Sequence, residues 1–347
     1  MYQSSTDPRG RSPISVTSIS VIGAGIAGAW QALLLAQSGR SVTLHERSDA
    51  AMMQSTSHWA GGMLAPFCEA ENSEPVIVRL GLRSLKLWRD YFPETPFNGS
   101  LVVAHARDRA DFERFARLTS GYRRLDAQGL GEIEPSLQGR FREGLFYADE
   151  GHVEPRKILP ELHARIRSLG GRIEFNSEVE PDDVQGETGG IVIDCRGLAA
   201  RDAQSDLRGV KGELILIETG EVELSRPVRL IHPRFPLYVI PRGEGRFMLG
   251  ATSIETESAG VSVRSALELL GAAYAVHPAF GEARILEFGS GLRPAFPDNL
   301  PRIAIDNEKI AVNGLYRHGF LLAPALAELT LGYVERGTID NEVMQCA

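Results

Sequence analysis

The fold is decided by residues 17–47, which read TSISVIGAGIAGAWQALLLAQSGRSVTLHER. The apolar run ISVI predicts a buried strand, residues 26–38 have the apolar spacing of a helix, and SVTLHE predicts a second strand. Because the order is strand, helix, strand, this stretch predicts a βαβ unit at the start of the ordered chain.

Three glycines occupy the turn between the first strand and the helix. Gly23, Gly25 and Gly28 form G-A-G-I-A-G. The first permits a tight turn, the second lets the backbone approach a pyrophosphate, and the third lets the helix pack closely on the strand. The first helical residues, Ile26 and Ala27, lie where backbone amides and the helix dipole favour phosphate charge. This spacing therefore predicts a dinucleotide site.

An acidic residue ends the second predicted strand. Glu46 lies 18 residues after Gly28 and is followed by Arg47. A carboxylate at this distance suits a pair of ribose hydroxyls. FAD and NAD both use such a motif, so the motif alone leaves the choice between them open. The alternative without a ligand is a glycine-rich turn that serves packing only.

Length and composition bound the class of protein. The chain has 347 residues, which predicts two domains or one large domain with a lobe, and its net charge of −8 argues against a nucleic-acid or anionic-membrane surface. Three widely spaced cysteines predict neither a disulfide framework nor structural zinc, and they fit a reducing cytoplasm. The scattered histidines predict no metal site, and no apolar run approaches the ~18 residues of a spanning helix.

The middle of the chain differs from its start. Residues 210–252 contain short strand-like runs split by turn residues, which predicts a mainly antiparallel sheet, and residues 319–336 predict a last helix. The chain should therefore weave between two units. The predicted division is a disordered leader at 1–16, an FAD-binding domain at 17–92, 145–205 and 288–340, a substrate lobe at 93–144 and 206–287, and a tail at 341–347.

Five blocks resemble a known family. They read QSTSHWAGGMLAP (54–66), VKGELILIE, YVIPRGEGRFMLGAT, GLRPAFPDNLPRI and YRHGFLLAPALAEL, in family order. Together they resemble the flavin-dependent glycine oxidases of thiamine biosynthesis, within the D-amino-acid oxidase family, from about Ser18 to about Val334. The resemblance implies an α/β fold in which a Rossmann-like FAD-binding domain of glutathione-reductase type is interleaved with a mixed, mainly antiparallel substrate lobe. It also implies that FAD is bound non-covalently.

The resemblance extends the predicted cofactor site beyond the glycine motif. A ring-facing loop, an adenine contact, a turn beside the adenosine half and the start of the last helix are implied. The residues at these places are Ser57, Gly61, Gly62, Met63, Val179, Gly197, His318, Gly319, Phe320 and Leu321.

Four residues are candidates for substrate binding. Arg293 matches the arginine that grips the substrate carboxylate, as a bidentate guanidinium can. Tyr238 matches a tyrosine that shares the carboxylate, and Arg317 matches an arginine beside the substrate. The alternatives are a structural salt bridge for Arg293, a core tyrosine for Tyr238 and a solvent-facing cation for Arg317. Tyr316, where relatives usually have Phe, borders the substrate.

Other conspicuous residues receive weaker roles. At Pro236 related oxidases often have histidine, so the exact substrate is left open. His318 is interpreted as a packing residue rather than a base, and the acidic run EAENSE (69–74) as a solvated loop.

The resemblance implies an enzyme that oxidatively deaminates glycine or another small amino acid or secondary amine, such as sarcosine, small D-amino acids or N-alkylglycines. A hydride would pass from Cα to flavin N5, the imino acid would hydrolyse to an oxo acid and ammonia, and O2 would become H2O2, with thiamine thiazole synthesis as one use. No side chain acts as acid or base in this scheme. A homo-oligomer without metal, nucleic-acid or membrane partners is expected.

Three alternatives remain open at this point. One is a dehydrogenase of the same fold that passes electrons to a carrier other than O2. Another is a non-catalytic protein that holds FAD, against which intact Arg293 and Tyr238 argue. The third is an NAD dehydrogenase, which would be colourless when purified.

Overall fold

The computed structural model describes residues 5–6, 18–188, 190–232 and 236–346. Most of the predicted leader at 1–16 lies outside the described residues. Its Ser5–Thr6 pairs antiparallel with Thr338–Ile339. Two large sheets, two small two-stranded sheets and the surrounding helices make up most of the described chain.

Short strands and helices alternate along the described chain. The strands are β1 (Ser5–Thr6), β2 (Ser18–Ile22), β3 (Ser41–Glu46), β4 (Met63–Leu64), β5 (Ser100–Ala104), β6 (Arg123–Asp126), β7 (Glu143–Tyr147), β8 (Gly151–His152), β9 (Arg172–Phe175), β10 (Ile191–Asp194), β11 (Arg208–Glu218), β12 (Val228–Ile231), β13 (Leu237–Pro241), β14 (Arg246–Gly250), β15 (Arg284–Ala295), β16 (Arg302–Asp306), β17 (Lys309–Asn313), β18 (Thr338–Ile339) and β19 (Met344–Cys346). The helices are α1 (Ile26–Gln37), α2 (Pro66–Glu69), α3 (Pro75–Tyr91), α4 (Arg109–Leu118), α5 (Ala127–Ile133), α6 (Pro155–Ser168), α7 (Pro181–Thr188), α8 (Val263–Val276) and α9 (Gly319–Arg336).

The seven-stranded sheet has the order β19-β16-β17-β10-β2-β3-β9. Its strands β17, β10, β2, β3 and β9 are parallel neighbours, whereas β16 runs antiparallel to β17. Helices α6 and α9 pack on α1, and α3 packs on α9, so apolar faces of all four enclose one large core. In parallel strands the carboxyl ends meet at one edge, which is where α/β folds bind ligands.

The eight-stranded sheet has the order β15-β11-β14-β13-β12-β5-β7-β6. Its pairs are antiparallel except β12 with β5. Alternate residues of β11, β13 and β14 point to opposite faces, as strand geometry requires. Ile215, Val239 and Leu249 join α8 in a second core, while Leu214, Ile240 and Met248 turn toward the cavity described below.

The βαβ start, the antiparallel middle and the last helix all form as predicted, with bounds shifted by a few residues. Two expectations differ. Residues 143–147 and 284–295 form strands of the eight-stranded sheet, so residues 145–147 and 288–295 lie there rather than in the sheet of the glycine motif. Residues 344–346 are an edge strand beside β16 rather than a free tail. The exact division into two domains stays a prediction.

Among the described residues, no helix combines the length and the apolar character needed to cross a membrane.

Candidate active site

A cavity of about 880 Å³ is lined by residues of both large sheets. Its size lies within the range of ligand pockets, ~300–1,000 Å³. Its lining includes the glycine turn between β2 and α1 and also Tyr238, Arg293 and Arg317. The predicted nucleotide and substrate residues are therefore brought to one cavity.

The glycine turn is held by close backbone contacts. A Cβ added at Gly28 would lie 1.9 Å from the carbonyl oxygen of Gly23, and one at Gly23 would lie 2.7 Å from the carbonyl oxygen of Cys195. Gly23 also has φ of 95°, in the left-handed region that favours glycine. These contacts press α1 onto β2 and bring the turn after β10 beside it, so Gly23 and Gly28 are required by sterics.

The N-terminus of α1 faces the cavity through Gly25, Ile26 and Ala27. The N-cap, Gly25, makes no side-chain cap hydrogen bond, and the first turn contains no acidic residue. The amide of Ile26 donates to Ser57 Oγ over 3.0 Å. Because the first turn of a helix leaves amides without intrahelical partners, this end presents donors and positive dipole to an anion.

Glu46 joins the glycine turn to the end of β3. Its Oε2 accepts from the Ala24 amide at 2.9 Å, and its Oε1 accepts from the Ser48 amide at 2.9 Å and from Ser48 Oγ at 2.8 Å. Glu46 lines the cavity with Arg47 and is itself 9% exposed. These hydrogen bonds within the protein thus hold the Glu46 carboxylate in one orientation without a bound ribose.

The loop that precedes β4 forms one wall of the cavity. Gly62 has φ of 66°, and a Cβ there would lie 2.1 Å from the carbonyl oxygen of Val153. Arg242 donates to the carbonyl of Gly61 at 2.7 Å and to that of Val153 at 3.0 Å. Burial lowers the pKa of Arg242 to about 10. Arg242 therefore fixes the predicted ring-facing loop. It was not among the site residues predicted from the sequence.

Arg293, on β15, is the cation that opens into the cavity. A Cβ added at Gly212 would lie 2.1 Å from Arg293 Nη2 and 2.4 Å from Cζ, so the guanidinium lies directly over the Gly212 backbone. Its Nη1 donates to the carbonyl of Thr252 at 2.9 Å. Burial lowers the pKa of Arg293 to about 10. Within the described part of the chain, no carboxylate lies within ion-pair distance of Arg293.

Thr252 is held in turn by a buried ion pair. Lys211 Nζ lies 2.9 Å from Glu213 Oε1, and Glu213 Oε2 accepts from Thr252 Oγ1 at 3.1 Å. Burial would raise the pKa of Glu213, but hydrogen bonds from Ser265, Lys211 and neighbours lower it below its usual value. Lys211 and Glu213 are two residues apart in the mainly apolar strand β11. Two opposite charges at such positions are the sequence pattern that could have indicated this buried ion pair.

Tyr238, on β13, lines the cavity beside Arg229. The hydroxyl of Tyr238 lies 3.3 Å from Arg229 Nη1, and Arg229 Nη2 lies 2.7 Å from Glu71 Oε2. Burial raises the pKa of Tyr238 well above its usual value, so the hydroxyl keeps its proton. Tyr238 can therefore donate a hydrogen bond into the cavity.

Arg317 has a partner within the protein. Its Nη2 lies 2.7 Å from Glu69 Oε2, and the same oxygen lies 2.8 Å from His318 Nε2. Burial would raise the pKa of Glu69, but Arg317 and His318 hold it far below the usual range, so Glu69 is charged. Glu69 and Glu71 have side chains only 13% and 11% exposed. The interpretation of EAENSE as a solvated loop is therefore wrong, because Glu69 and Glu71 are largely covered and pair with Arg317 and with the buried Arg229.

Tyr316 occupies a strained turn before α9. Its φ is 48°, a conformation that a bulky side chain rarely adopts. Its amide donates to the carbonyl of Pro294 at 2.9 Å, and its hydroxyl lies 2.9 Å from Ser253 Oγ. Strained backbone of this kind is concentrated at functional sites, where surrounding contacts maintain it.

Most of the predicted site residues line the cavity. Those that do are Gly23, Gly25, Ile26, Ala27, Glu46, Arg47, Ser57, Gly61, Gly62, Met63, Val179, Gly197, Tyr238, Arg293, Tyr316, Arg317, Gly319 and Phe320. Gly28, His318 and Leu321 are buried and are not among the residues that line the cavity. Trp59, in the predicted ring-facing loop, lines the cavity too. Glu69, Gly212, Leu214, Ile240 and Met248 also line it and were not predicted, since strand and helix patterns do not reveal which distant faces meet.

A fully buried acid supports the short helix α2, which carries Glu69. Glu150 Oε1 accepts from the Cys68 amide at 2.8 Å, and its Oε2 accepts from Ser100 Oγ. Burial raises the pKa of Glu150 to about 7 from an ordinary value of 4.5. The buried Cys68 thiol and Glu69 are the other titratable groups beside it. Glu150 thus fixes α2 and titrates near neutral pH.

This raised pKa predicts a pH-dependent stability. Between pH 4.5 and about 7 the folded state binds more protons at Glu150 than the unfolded state, so its contribution to the free energy of unfolding falls as pH rises. Glu150→Gln should remove this fall, roughly 3 kcal/mol over the window. Urea unfolding of both proteins at pH 5 and pH 7.5 measures it. Parallel losses in the two proteins would contradict the assignment.

Proteins of known family resemble this chain along most of its length. A family model described as FAD dependent oxidoreductase matches residues 18–331. A protein of Rhizobium etli that is named a thiamine biosynthesis oxidoreductase, ThiO, is 48% identical over 311 residues, covering 89% of this chain and 94% of the relative. A glycine oxidase of Geobacillus kaustophilus is 25% identical over 361 residues, covering 92% and 93%.

The crystal structure of glycine oxidase from Geobacillus kaustophilus is also similar. It superposes with a TM-score of 0.75 at 22% identity and covers 91% of this chain and 94% of that one. At this identity the likeness establishes the fold. The predicted mixed α/β fold is therefore confirmed.

Proposed function

The chain belongs to the FAD dependent oxidoreductase family, and from that premise we propose that it oxidatively deaminates glycine or another small amino acid or secondary amine. The observation that carries the proposal is Arg293, a half-buried guanidinium that lines the cavity without a carboxylate partner among the described residues. A buried unpaired cation is costly, so an anionic ligand is the expected partner.

The residues present fit FAD. The N-cap of α1 is Gly25, which has no side chain, and the first turn contains no acid, which suits a diphosphate. The close packing of Gly23 against Cys195 leaves the turn without side chains where a pyrophosphate would approach. Glu46 would hold the ribose, Gly61, Gly62 and Met63 would contact the ring, and the uncapped start of α9 at Gly319 would face its pyrimidine edge.

Non-covalent attachment of FAD is supported by the state of Cys195. Cys195 lines the cavity, and its backbone contacts Gly23 at the glycine turn. Burial raises the pKa of its thiol well above the ordinary value, so it is a poor nucleophile. Cys68 is buried outside the cavity lining, and Cys346 is exposed on the edge strand β19. A flavin released completely by acid or heat denaturation would support this assignment.

The substrate carboxylate would bind Arg293 and the hydroxyl of Tyr238. Gly212 and Thr252 fix the Arg293 guanidinium. Its remaining N–H donors are therefore preorganised for a carboxylate when no substrate is bound. Fixed donors orient the substrate Cα and nitrogen, which is catalysis by positioning. Trp59, Met63, Leu214, Ile240 and Met248 add an apolar wall that limits water at this end.

FAD, when bound, supplies the electron acceptor for oxidation of the substrate Cα–N bond and returns the electrons to O2. The protein need not supply a base, since the hydride leaves with its electron pair once the amine is neutral. Glu69 is unsuited to that role because Arg317 and His318 keep it ionised at low pH. The side chains of this chain therefore bind, orient and exclude water.

A substrate screen tests the proposal. Purified holoenzyme is mixed without oxygen with glycine, sarcosine, D-alanine, D-proline or N-ethylglycine, and bleaching of the flavin absorbance is followed. At least one amine should bleach the flavin, and air should restore the colour and yield H2O2. Return of colour only with an artificial dye would indicate a dehydrogenase. A flavin that none of these amines reduces would contradict the proposal.

Several finer predictions accompany this function. We propose that the enzyme is a cytoplasmic homo-oligomer and that its imine product feeds thiamine thiazole synthesis. The similarity to a protein named ThiO supports the last of these. Light scattering of the eluting holoenzyme measures its assembly, and a single-chain mass would contradict it.

A further inference from the structure

The substrate end of the cavity contains two arginines with unequal surroundings. Arg317 and Glu69 both line the cavity and lie 2.7 Å apart. Arg293 lines the same cavity, and no described carboxylate pairs with it. The protein therefore neutralises Arg317 with its own carboxylate, whereas the charge of Arg293 has no such partner among the described residues.

The charges of these three side chains do not cancel. Glu69 is ionised, since Arg317 and His318 hold its pKa far below the usual range despite burial. The charge of Glu69 in turn raises the pKa of Arg317. Two guanidiniums and one carboxylate leave one net positive charge. A single negative charge on the ligand would balance it, whereas a second would face Arg317, which Glu69 already pairs with.

The position of Glu69 is itself built into the fold. It ends α2, where its amide donates to the carbonyl of Ala65 at 3.2 Å and the preceding amide, of Cys68, donates to Glu150. His318, the N-cap of α9, contacts the same Glu69 oxygen that Arg317 contacts. Glu69 is thus fixed from both sides and is not free to swing away from Arg317.

We infer that Glu69 sets the charge selectivity of the site: by occupying Arg317 it leaves Arg293 as the cation available to substrate and restricts the site to amines with one carboxylate. The inference rests on the proposed function, because it takes Arg293 as the carboxylate anchor. It names the substrate class more closely, as monocarboxylic amines rather than dicarboxylic ones.

The test replaces Glu69 with glutamine, which keeps the shape and removes the charge. Calorimetry measures the dissociation constants of acetate and malonate for the holoenzyme. The wild type should prefer acetate, and Glu69→Gln should shift the ratio toward malonate by about tenfold or more, because Arg317 becomes available. Glu74→Gln is the matched control, since Glu74 is exposed and does not line the cavity. Its ratio should equal that of the wild type.

A double variant keeps the test decisive if the single variant folds poorly. Glu69→Gln/Arg317→Gln removes both members of the pair, which costs less stability than removing one. It restores one net positive charge, so the preference for acetate should return to the wild-type value. An unchanged ratio in Glu69→Gln, or a double variant that prefers malonate, would overturn the inference.

Turnover separates this inference from the proposed function. The same proteins are assayed with glycine and with iminodiacetate, an amine with two carboxylates. Relative kcat/KM for iminodiacetate should rise in Glu69→Gln. If no amine is oxidised by the wild type, the proposed function fails, while the calorimetric ratio still decides the charge selectivity.

Discussion

Arg293→Met is expected to lower kcat/KM for the best amine substrate by about 100-fold or more, mainly through KM, because a buried charge-assisted carboxylate contact contributes roughly 2–5 kcal/mol. The flavin content should not change, since Arg293 contacts Gly212 and Thr252 rather than the residues of the glycine turn. The ligand-free protein should be as stable as the wild type or more so. Methionine removes a cation whose pKa burial lowers to about 10 and which no described acid compensates.

Steady-state kinetics and thermal unfolding check both parts. A loss of stability together with an unchanged KM would show that Arg293 is structural. Gly212→Ala is the companion variant. Its added Cβ would lie 2.1 Å from Arg293 Nη2, at the far end of a flexible side chain, so the chain should fold while the guanidinium shifts. KM should rise in this variant although every charge is kept.

Gly28→Ala is expected to abolish FAD retention and to destabilise the protein by roughly 1–3 kcal/mol. Its Cβ would lie 1.9 Å from the carbonyl oxygen of Gly23 and 3.3 Å from Cys195 Cβ. Backbone contacts this short cannot be relieved by a rotamer change, so α1 must move away from β2. That movement opens the turn in which the pyrophosphate is expected to bind.

The measurements are the flavin-to-protein absorbance ratio after purification and the midpoint of urea unfolding. Gly271→Ala is the control, because it makes the same change inside α8, where nothing lies within 4 Å of the added Cβ. It should leave FAD bound and stabilise its helix by up to about 1 kcal/mol. Normal flavin content in Gly28→Ala would contradict the role given to the turn.

Local patterns account for the parts that the sequence predicted well. The strand, glycine turn and helix of residues 18–37 depend on neighbours within a few positions, so their type and order were readable. The last helix, α9, was readable for the same reason. Family resemblance, not pattern, pointed to FAD and to Arg293, and the family is confirmed.

Neither the family resemblance nor the local sequence pattern predicted that Glu69 and Glu71 of the acidic segment EAENSE are largely covered. EAENSE has the composition of an exposed loop, and nothing within it indicates burial. Its Glu69 meets His318 at a separation of 249 residues. The partner of Arg317 was therefore invisible to any argument from spacing along the chain.

The sequence by itself determined the βαβ start with its phosphate-binding turn, because glycine sterics and hydrophobic periodicity act between residues close in the chain. Tertiary structure alone decided how the charges are shared among the residues proposed to bind substrate. There α2, β11, β15 and the turn before α9 converge, so that Glu69 neutralises Arg317 while Arg293 lies over Gly212 without an acid. Burial makes that distinction matter, since a cation removed from water must be balanced by a group that only the folded chain, or a ligand, can bring to it.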